Sequence, residues 1–185
     1  MSVKRRNPLP LNAHRLEELA LAYVARFATT QAKLHGYLHR KIRERGWDDE
    51  GESGRAPPVE ALVSRYVELG YVDDAAWART KAGRLLRRGY GARRVGEALG
   101  QAGIEEDLRA EVRPGESEQR RAALVLARRR RFGPFAAGPV DRAKREKQIA
   151  AMLRAGHSLD IACRIIDAND PEAVEEWADS AFGDD

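Results

Sequence analysis

The chain has 185 residues, of which 43% are hydrophobic, 34% charged and 6% aromatic, a composition typical of a globular protein with an aliphatic core. No apolar run approaches the roughly 20 residues of a membrane span, and no apolar signal core follows the basic N-terminus, so we expect a cytoplasmic protein. The single cysteine, Cys163, excludes an intramolecular disulfide and a multi-cysteine zinc site, and we expect it to be a small buried side chain.

Charge is strongly segregated along the chain, although the net charge is only +4. From Arg79 to Gly156 there are 20 Lys and Arg against 9 Asp and Glu, a balance of +11, whereas His157 to Asp185 carries one arginine against nine acids, a balance of −8. A basic body followed by an acidic end indicates a partner with an anionic or acidic surface.

Residues 1–13 contain a basic cluster and prolines without periodicity, and we predict a disordered basic arm. Residues 14–72 then show three segments with apolar residues at helical spacing, separated after the second by an acidic, glycine-rich stretch, 47–58, that we predict to be a mobile loop. Each segment has an apolar stripe along one side of its helix. The three stripes are Leu16, Leu19, Ala20, Tyr23, Val24 and Phe27; Leu34, Tyr37, Leu38 and Ile42; and Val59, Leu62, Val63, Tyr66 and Val67. Thr29 or Thr30 is the predicted cap of the second helix, which should run to about Gly46.

The same order of helices recurs in residues 73–114 and again in 115–168, with glycines at equivalent helix ends. No segment alternates with the period of a strand, so the predicted fold class is all-α, built from three tandem three-helix repeats. In the acidic tail, 169–185, Asp170 and Pro171 can start one more helix, with a frayed tail as the alternative.

The junction between the first two repeats has strong local signals. Gly70 suits a left-handed helix end, Asp73 can cap the next helix, and Val72 and Trp77 fall at the positions of a hydrophobic staple, which places both in the core. Capping also accounts for the neighbouring Asp74, so the paired carboxylates predict no acid-base chemistry. The expected structural residues are Gly70, Val72, Asp73, Asp74, Trp77, Gly89, Gly91 and Gly103.

The segment Leu-Gly-Tyr-Val-Asp-Asp-Ala-Ala-Trp-Ala at 69–78, with Arg-Arg-Gly-Tyr-Gly-Ala-Arg-Arg-Val at 87–95 and Ala-Gly-Ile at 102–104, resembles the signature of the RecX family of bacterial RecA modulators. The resemblance covers roughly residues 16–167, and Trp77 stands where that family more often has Phe. It implies a curved, elongated stack of right-handed helices that binds RecA or the RecA–DNA filament as a monomer. It also implies a regulator, without enzyme activity or cofactor, that hinders filament assembly, ATP hydrolysis, strand exchange and co-protease activity in DNA repair and the SOS response.

Basic residues and one tyrosine are the candidate contacts with this partner, because arginines bind carboxylates and phosphates bidentately and tyrosine gives a rigid contact. They are Arg84, Arg87, Arg88, Tyr90, Arg93, Arg94, Arg121, Arg128 and Arg131. Two other interpretations remain open: the arginines are solvated helix ends, or the basic side binds DNA phosphates directly. The acidic tail could also fold back on the basic body and compete with the partner.

His35 and His39 are four residues apart, as a pair of metal ligands on one helix would be. No carboxylate or cysteine lies between them, so the sequence predicts no metal site.

Overall fold

The structure is a computed structural model that describes residues 9–48 and 56–180, and in that part of the chain it is all-α with no strand. The helices are α1 (Ala13–Arg26), α2 (Gln31–Arg45), α3 (Val59–Glu68), α4 (Asp74–Arg87), α5 (Ala92–Gly100), α6 (Glu106–Glu111), α7 (Glu116–Arg130), α8 (Arg142–Arg154), α9 (Leu159–Ile166) and α10 (Pro171–Ser180). A short 3-10 helix, Gly133–Phe135, lies between α7 and α8. None of these helices is both long enough and apolar enough to cross a membrane.

The chain divides into two compact units, residues 1–77 and 78–185, and the boundary between them lies inside α4. The second and third predicted repeats therefore belong to one unit. The order of helices is consistent with three repeats, which remain a prediction.

The first unit has a core between α1, α2 and α3 that contains the predicted stripes and also Leu11. Leu11 is fully buried, and its backbone forms a parallel bridge with Trp47: Leu11 N–H donates to Gly46 O, and Asp48 N–H donates to Leu11 O. The predicted limits of the arm and of the mobile loop are therefore wrong at these residues, because one extended contact joins them. Residues 1–8 and 49–55 of those two segments lie outside the described part of the chain.

The junction residues of the first unit cap helices as predicted, with one addition. Asp73 accepts a hydrogen bond from Ala76 N–H at 2.8 Å, and Asp74 accepts one from Gln31 N–H at 2.9 Å, so Asp74 caps the first turn of α2. Val72 is buried, whereas Trp77 is only half-buried: its Nε1 donates to Ala28 O and Lys33 lies over its ring. Trp77 therefore lies at the edge of the core rather than inside it, because its ring covers the connection between α1 and α2.

The second unit has a core between α7, α8, α9 and α10. The C-terminal segment forms a docked helix, since Val174 and Ala178 of α10 are buried against this core. Residues 181–185 of the predicted tail lie outside the described residues.

Candidate partner-binding surface

The C-terminal ends of α4 and α8, in the second unit, lie in contact with each other. After α4, Gly89 N–H donates to Leu86 O and Tyr90 N–H to Leu85 O, which is the Schellman pattern, and α8 ends in the same way at Gly156. The turns are joined by hydrogen bonds from Gly91 N–H to Ala155 O, at 2.9 Å, and from Arg93 N–H to Gly156 O, at 3.2 Å. The Gly89-Tyr90-Gly91 turn is thus a joint inside the unit, which we call the glycine joint.

Both glycines of the joint are placed where another backbone approaches closely. A Cβ added to Gly91 would lie 2.3 Å from Gly156 O, and one added to Gly89 would lie 3.0 Å from the backbone N of Leu126 in α7. Gly89 also has φ +83°, a left-handed conformation that favours glycine. The predicted structural importance of these two glycines therefore has a steric basis.

His157 completes the glycine joint from the α8 side. Its side chain is buried, and its Nε2 lies 3.0 Å from Gly89 O, so the neutral ring donates to that carbonyl. Burial lowers the pKa of His157, and the hydrogen bond to Gly89 O opposes this shift. The ring is consequently a fixed, uncharged part of the joint.

Two of the candidate arginines bind groups of the protein itself. Arg93 pairs with Glu97 and donates to Leu153 O at 2.7 Å, and Arg94 pairs with the other oxygen of Glu97 at 3.1 Å. Arg93 therefore ties α5 to the end of α8, in addition to any contact it makes outside the chain.

The other candidate arginines near the glycine joint are exposed and have no acidic neighbour in the described part of the chain. Among residues 9–48 and 56–180, no carboxylate lies within 4 Å of the guanidinium group of Arg84, Arg87 or Arg88. Arg88 lies 5.5 Å from the ring centroid of the half-buried Tyr90, within the range of a cation–π contact. These arginines can therefore bind an acidic partner without first breaking an ion pair to a described residue.

One side of α7 faces the acidic α10. Arg128 pairs with Glu175, Arg121 approaches Asp179 at 3.8 Å, and Arg120 donates to Trp177 O at 2.9 Å while lying 4.7 Å from the centre of the Trp177 ring. The predicted contacts Arg121 and Arg128 are therefore held by the C-terminal helix.

Consecutive arginines point in different directions around α7, and two that were not singled out from the sequence line a cleft of about 240 Å³. Arg129 and Arg130 share this cleft with Arg154 of α8 and with the aromatic rings of Tyr90 and Phe132. No described carboxylate lies within 4 Å of these three arginines. We call this the arginine cleft. The sequence contains two signals for this cleft, the basic run at the end of α7 and the arginine that ends α8. Neither signal shows which of these arginines lie close together.

Arg131 has a backbone role that the sequence did not indicate. It lies one residue beyond α7 with φ +54° and ψ +51°, and it is the non-glycine residue with positive φ among those the structure describes. Arg131 N–H donates to Arg128 O and Phe132 N–H donates to Ala127 O, so an arginine occupies the position that glycine occupies at the other Schellman ends.

The described residues also bring His35 and His39 together with Glu60 of α3, a set that could hold a metal ion. This cluster lies in the first unit.

Comparison with known proteins gives a consistent result. No family model matches the chain, but it is 34% identical over 169 residues to the regulatory protein RecX of Myxococcus xanthus, covering 89% of this chain and 90% of that one. It is 29% identical over 174 residues to RecX of a Mycobacterium species, covering 89% of each chain. The crystal structure of RecX from Lactobacillus salivarius matches with a TM-score of 0.63 at 15% identity, over 91% of this chain and 97% of that chain, which establishes a shared fold. The chain belongs to the RecX family, whose members are regulatory proteins rather than enzymes.

Proposed function

We propose that this protein binds RecA or the RecA–DNA filament in the cytoplasm, as a monomer, and lowers filament assembly, ATP hydrolysis, strand exchange and co-protease activity. Membership of the RecX family supports a regulatory role. We choose the arginine cleft as the binding surface. There Arg129, Arg130 and Arg154 converge beside two aromatic rings, and none of the three has an acidic neighbour in the described chain.

The composition of the cleft fits a protein carboxylate or a phosphate. Guanidinium groups form paired hydrogen bonds with either anion, and Tyr90 and Phe132 provide rigid apolar area beside them. Arginine and tyrosine are also the residue types that dominate binding energy at protein interfaces. Arg87 and Arg88 extend the same basic character to the end of α4.

The test is inhibition of RecA-catalysed ATP hydrolysis on single-stranded DNA by the protein and by the double variant Arg129→Glu/Arg130→Glu. Loss of two hot-spot arginines costs on the order of 2 kcal/mol or more, so the concentration for half-inhibition should rise at least about thirtyfold. The matched control is Arg113→Glu/Arg164→Glu, which makes the same change in net charge at two exposed arginines outside the cleft. Equal inhibition by both double variants would show that the cleft is not the contact surface.

A second double variant tests the two exposed arginines next to the glycine joint. Arg87→Glu/Arg88→Glu should weaken inhibition while the circular dichroism spectrum and the melting temperature stay close to those of the wild type, because both side chains are exposed. Loss of folded structure would mean that these residues are structural.

Direct DNA binding is the second candidate function, since a basic body attracts phosphates. A DNA binder would bind naked DNA without RecA and with a steep salt dependence, whereas a filament modulator binds much more tightly once RecA is assembled. Unchanged RecA assembly and ATP hydrolysis across a concentration series of the protein would refute the filament proposal.

A further inference from the structure

His35, His39 and Glu60 form a triangle of potential ligand atoms in the first unit. The distance from His35 Nε2 to His39 Nε2 is 3.2 Å, from His35 Nε2 to Glu60 Oε1 3.1 Å, and from His39 Nε2 to Glu60 Oε1 3.8 Å. In a tetrahedral zinc site the bonds are 2.0–2.1 Å long, which separates neighbouring ligand atoms by about 3.3 Å. The observed triangle therefore already has the size of one face of such a site.

The backbone positions of the three ligands are fixed by the core. His35 and His39 each follow a fully buried leucine of α2, Leu34 and Leu38, and Glu60 follows the fully buried Val59 of α3. Because α2 and α3 pack through these apolar residues, the three side chains lie side by side at the rim of the core on regular helices. A metal site built on such rigid elements needs little rearrangement to bind its ion.

The two hydrogen bonds of the triangle share one atom, His35 Nε2. Glu60 as a carboxylate only accepts, and a proton on His35 Nε2 that is donated to Glu60 prevents the same nitrogen from accepting from His39. A divalent cation would instead accept one lone pair from each of His35 Nε2, His39 Nε2 and Glu60 Oε1, with the remaining proton of each neutral imidazole on Nδ1.

We propose that His35, His39 and Glu60 bind one zinc ion, or a similar first-row transition metal, that links α2 to α3. Two imidazole nitrogens and one carboxylate oxygen suit Zn²⁺, Co²⁺ or Ni²⁺, whereas Mg²⁺ prefers oxygen ligands only. The side chains of His35 and His39 are 43% and 44% exposed, which leaves room for water as the fourth ligand. The ion would join the two helices on either side of the long connection between α2 and α3. This site contains no residue of the arginine cleft and does not depend on RecA binding.

The test is calorimetric titration of the tag-free, full-length protein with Zn²⁺, followed by visible absorption spectra with Co²⁺. We expect one equivalent of metal per chain, a tetrahedral Co²⁺ spectrum and a rise in melting temperature with Zn²⁺, but no binding of Mg²⁺. His39→Asn and Glu60→Gln should each weaken Zn²⁺ binding by at least about tenfold, the loss that removal of even an outer-shell partner causes.

His14→Asn is the matched control, because His14 is an exposed histidine of the same unit with a single acidic neighbour, Glu18, at 3.6 Å. It should bind Zn²⁺ as the wild type does. Zn²⁺ binding that is equally strong in His39→Asn and in the wild type would overturn the proposal, as would a wild-type protein that does not bind Zn²⁺. All three altered side chains are at least 43% exposed, so the variants should keep the helical content of the wild type.

Discussion

Replacement of Gly91 by alanine should destabilise the second unit strongly, although alanine is the better helix former. The added Cβ would lie 2.3 Å from Gly156 O and 2.5 Å from His157 N, both backbone atoms, so the two turns of the glycine joint must separate by about 1 Å to reach the 3.4 Å of an ordinary contact. Such overpacking typically costs about 1–3 kcal/mol. The shift would also break the bonds from Gly91 N–H to Ala155 O and from Arg93 N–H to Gly156 O, at about 1 kcal/mol each.

The expected loss in the free energy of unfolding is therefore about 3–5 kcal/mol, obtained by adding the steric cost to the two hydrogen bonds. Gly96→Ala is the matched control: Gly96 lies within α5, five residues away, and nothing is within 4 Å of its added Cβ. That substitution should stabilise the protein by up to about 1 kcal/mol, because glycine is the poorer residue in a helix.

Both substitutions can be measured by urea unfolding. Trp177 is the only tryptophan of the second unit, so its fluorescence reports on that unit when Trp47 and Trp77 are replaced by Phe. A Gly91→Ala variant within about 1 kcal/mol of the wild type would refute the reasoning, because such a small change would mean that the turns do not meet at the observed distance.

Three further outcomes follow from the second unit. Arg131→Gly should stabilise the protein by about 1 kcal/mol in urea unfolding, because it removes a side chain from a left-handed conformation, and a loss of stability would contradict that role. Glu175→Gln/Asp179→Asn should strengthen inhibition of RecA ATP hydrolysis by exposing the arginines of α7 that α10 now neutralises, and unchanged inhibition would show that α10 does not compete with the partner. Stability should fall as the pH drops below about 6.5, because His157 has a lowered pKa and so takes up a proton more readily in the unfolded state. The slope should be at most about 1.4 kcal/mol per pH unit and should be smaller in His157→Gln when unfolding is measured at pH 7.5 and 5.5.

Helix positions and ends could be predicted well because their signals are local. The apolar spacing of α1 to α3 marks their buried faces, and the predicted caps Asp73 and Thr30 each accept a hydrogen bond from the amide three residues later. Gly70, Gly89, Gly103 and Gly156 end helices where the sequence predicted ends. In each case the residues that decide the structure lie within one or two turns of each other.

Contacts between segments distant in the sequence could not be predicted from the same patterns. The sequence places Leu11 in the predicted basic arm. Its burial could not be predicted, because it depends on Trp47, 36 residues later. The histidine pair of α2 lacks a carboxylate in its own helix, and Glu60 reaches it only because α3 packs against α2. Helical periodicity defines which side of one helix is apolar, but not which element lies opposite a given side chain.

Contacts between segments distant in the sequence also decide which arginines are available to a partner. Five arginines of the second unit lie beside acidic side chains or backbone carbonyls. They are Arg93, Arg94, Arg120, Arg121 and Arg128. Charge reversal at such positions would place like charges together and disturb folding and binding at once. Of the cleft arginines, Arg129 and Arg130 lie on α7 and Arg154 on α8, but they face no acid in the described chain, so their charge can be changed without that structural cost. The excess positive charge of the basic body is thus available at the cleft and largely neutralised beside α10, and an acidic partner surface should meet the protein at the cleft.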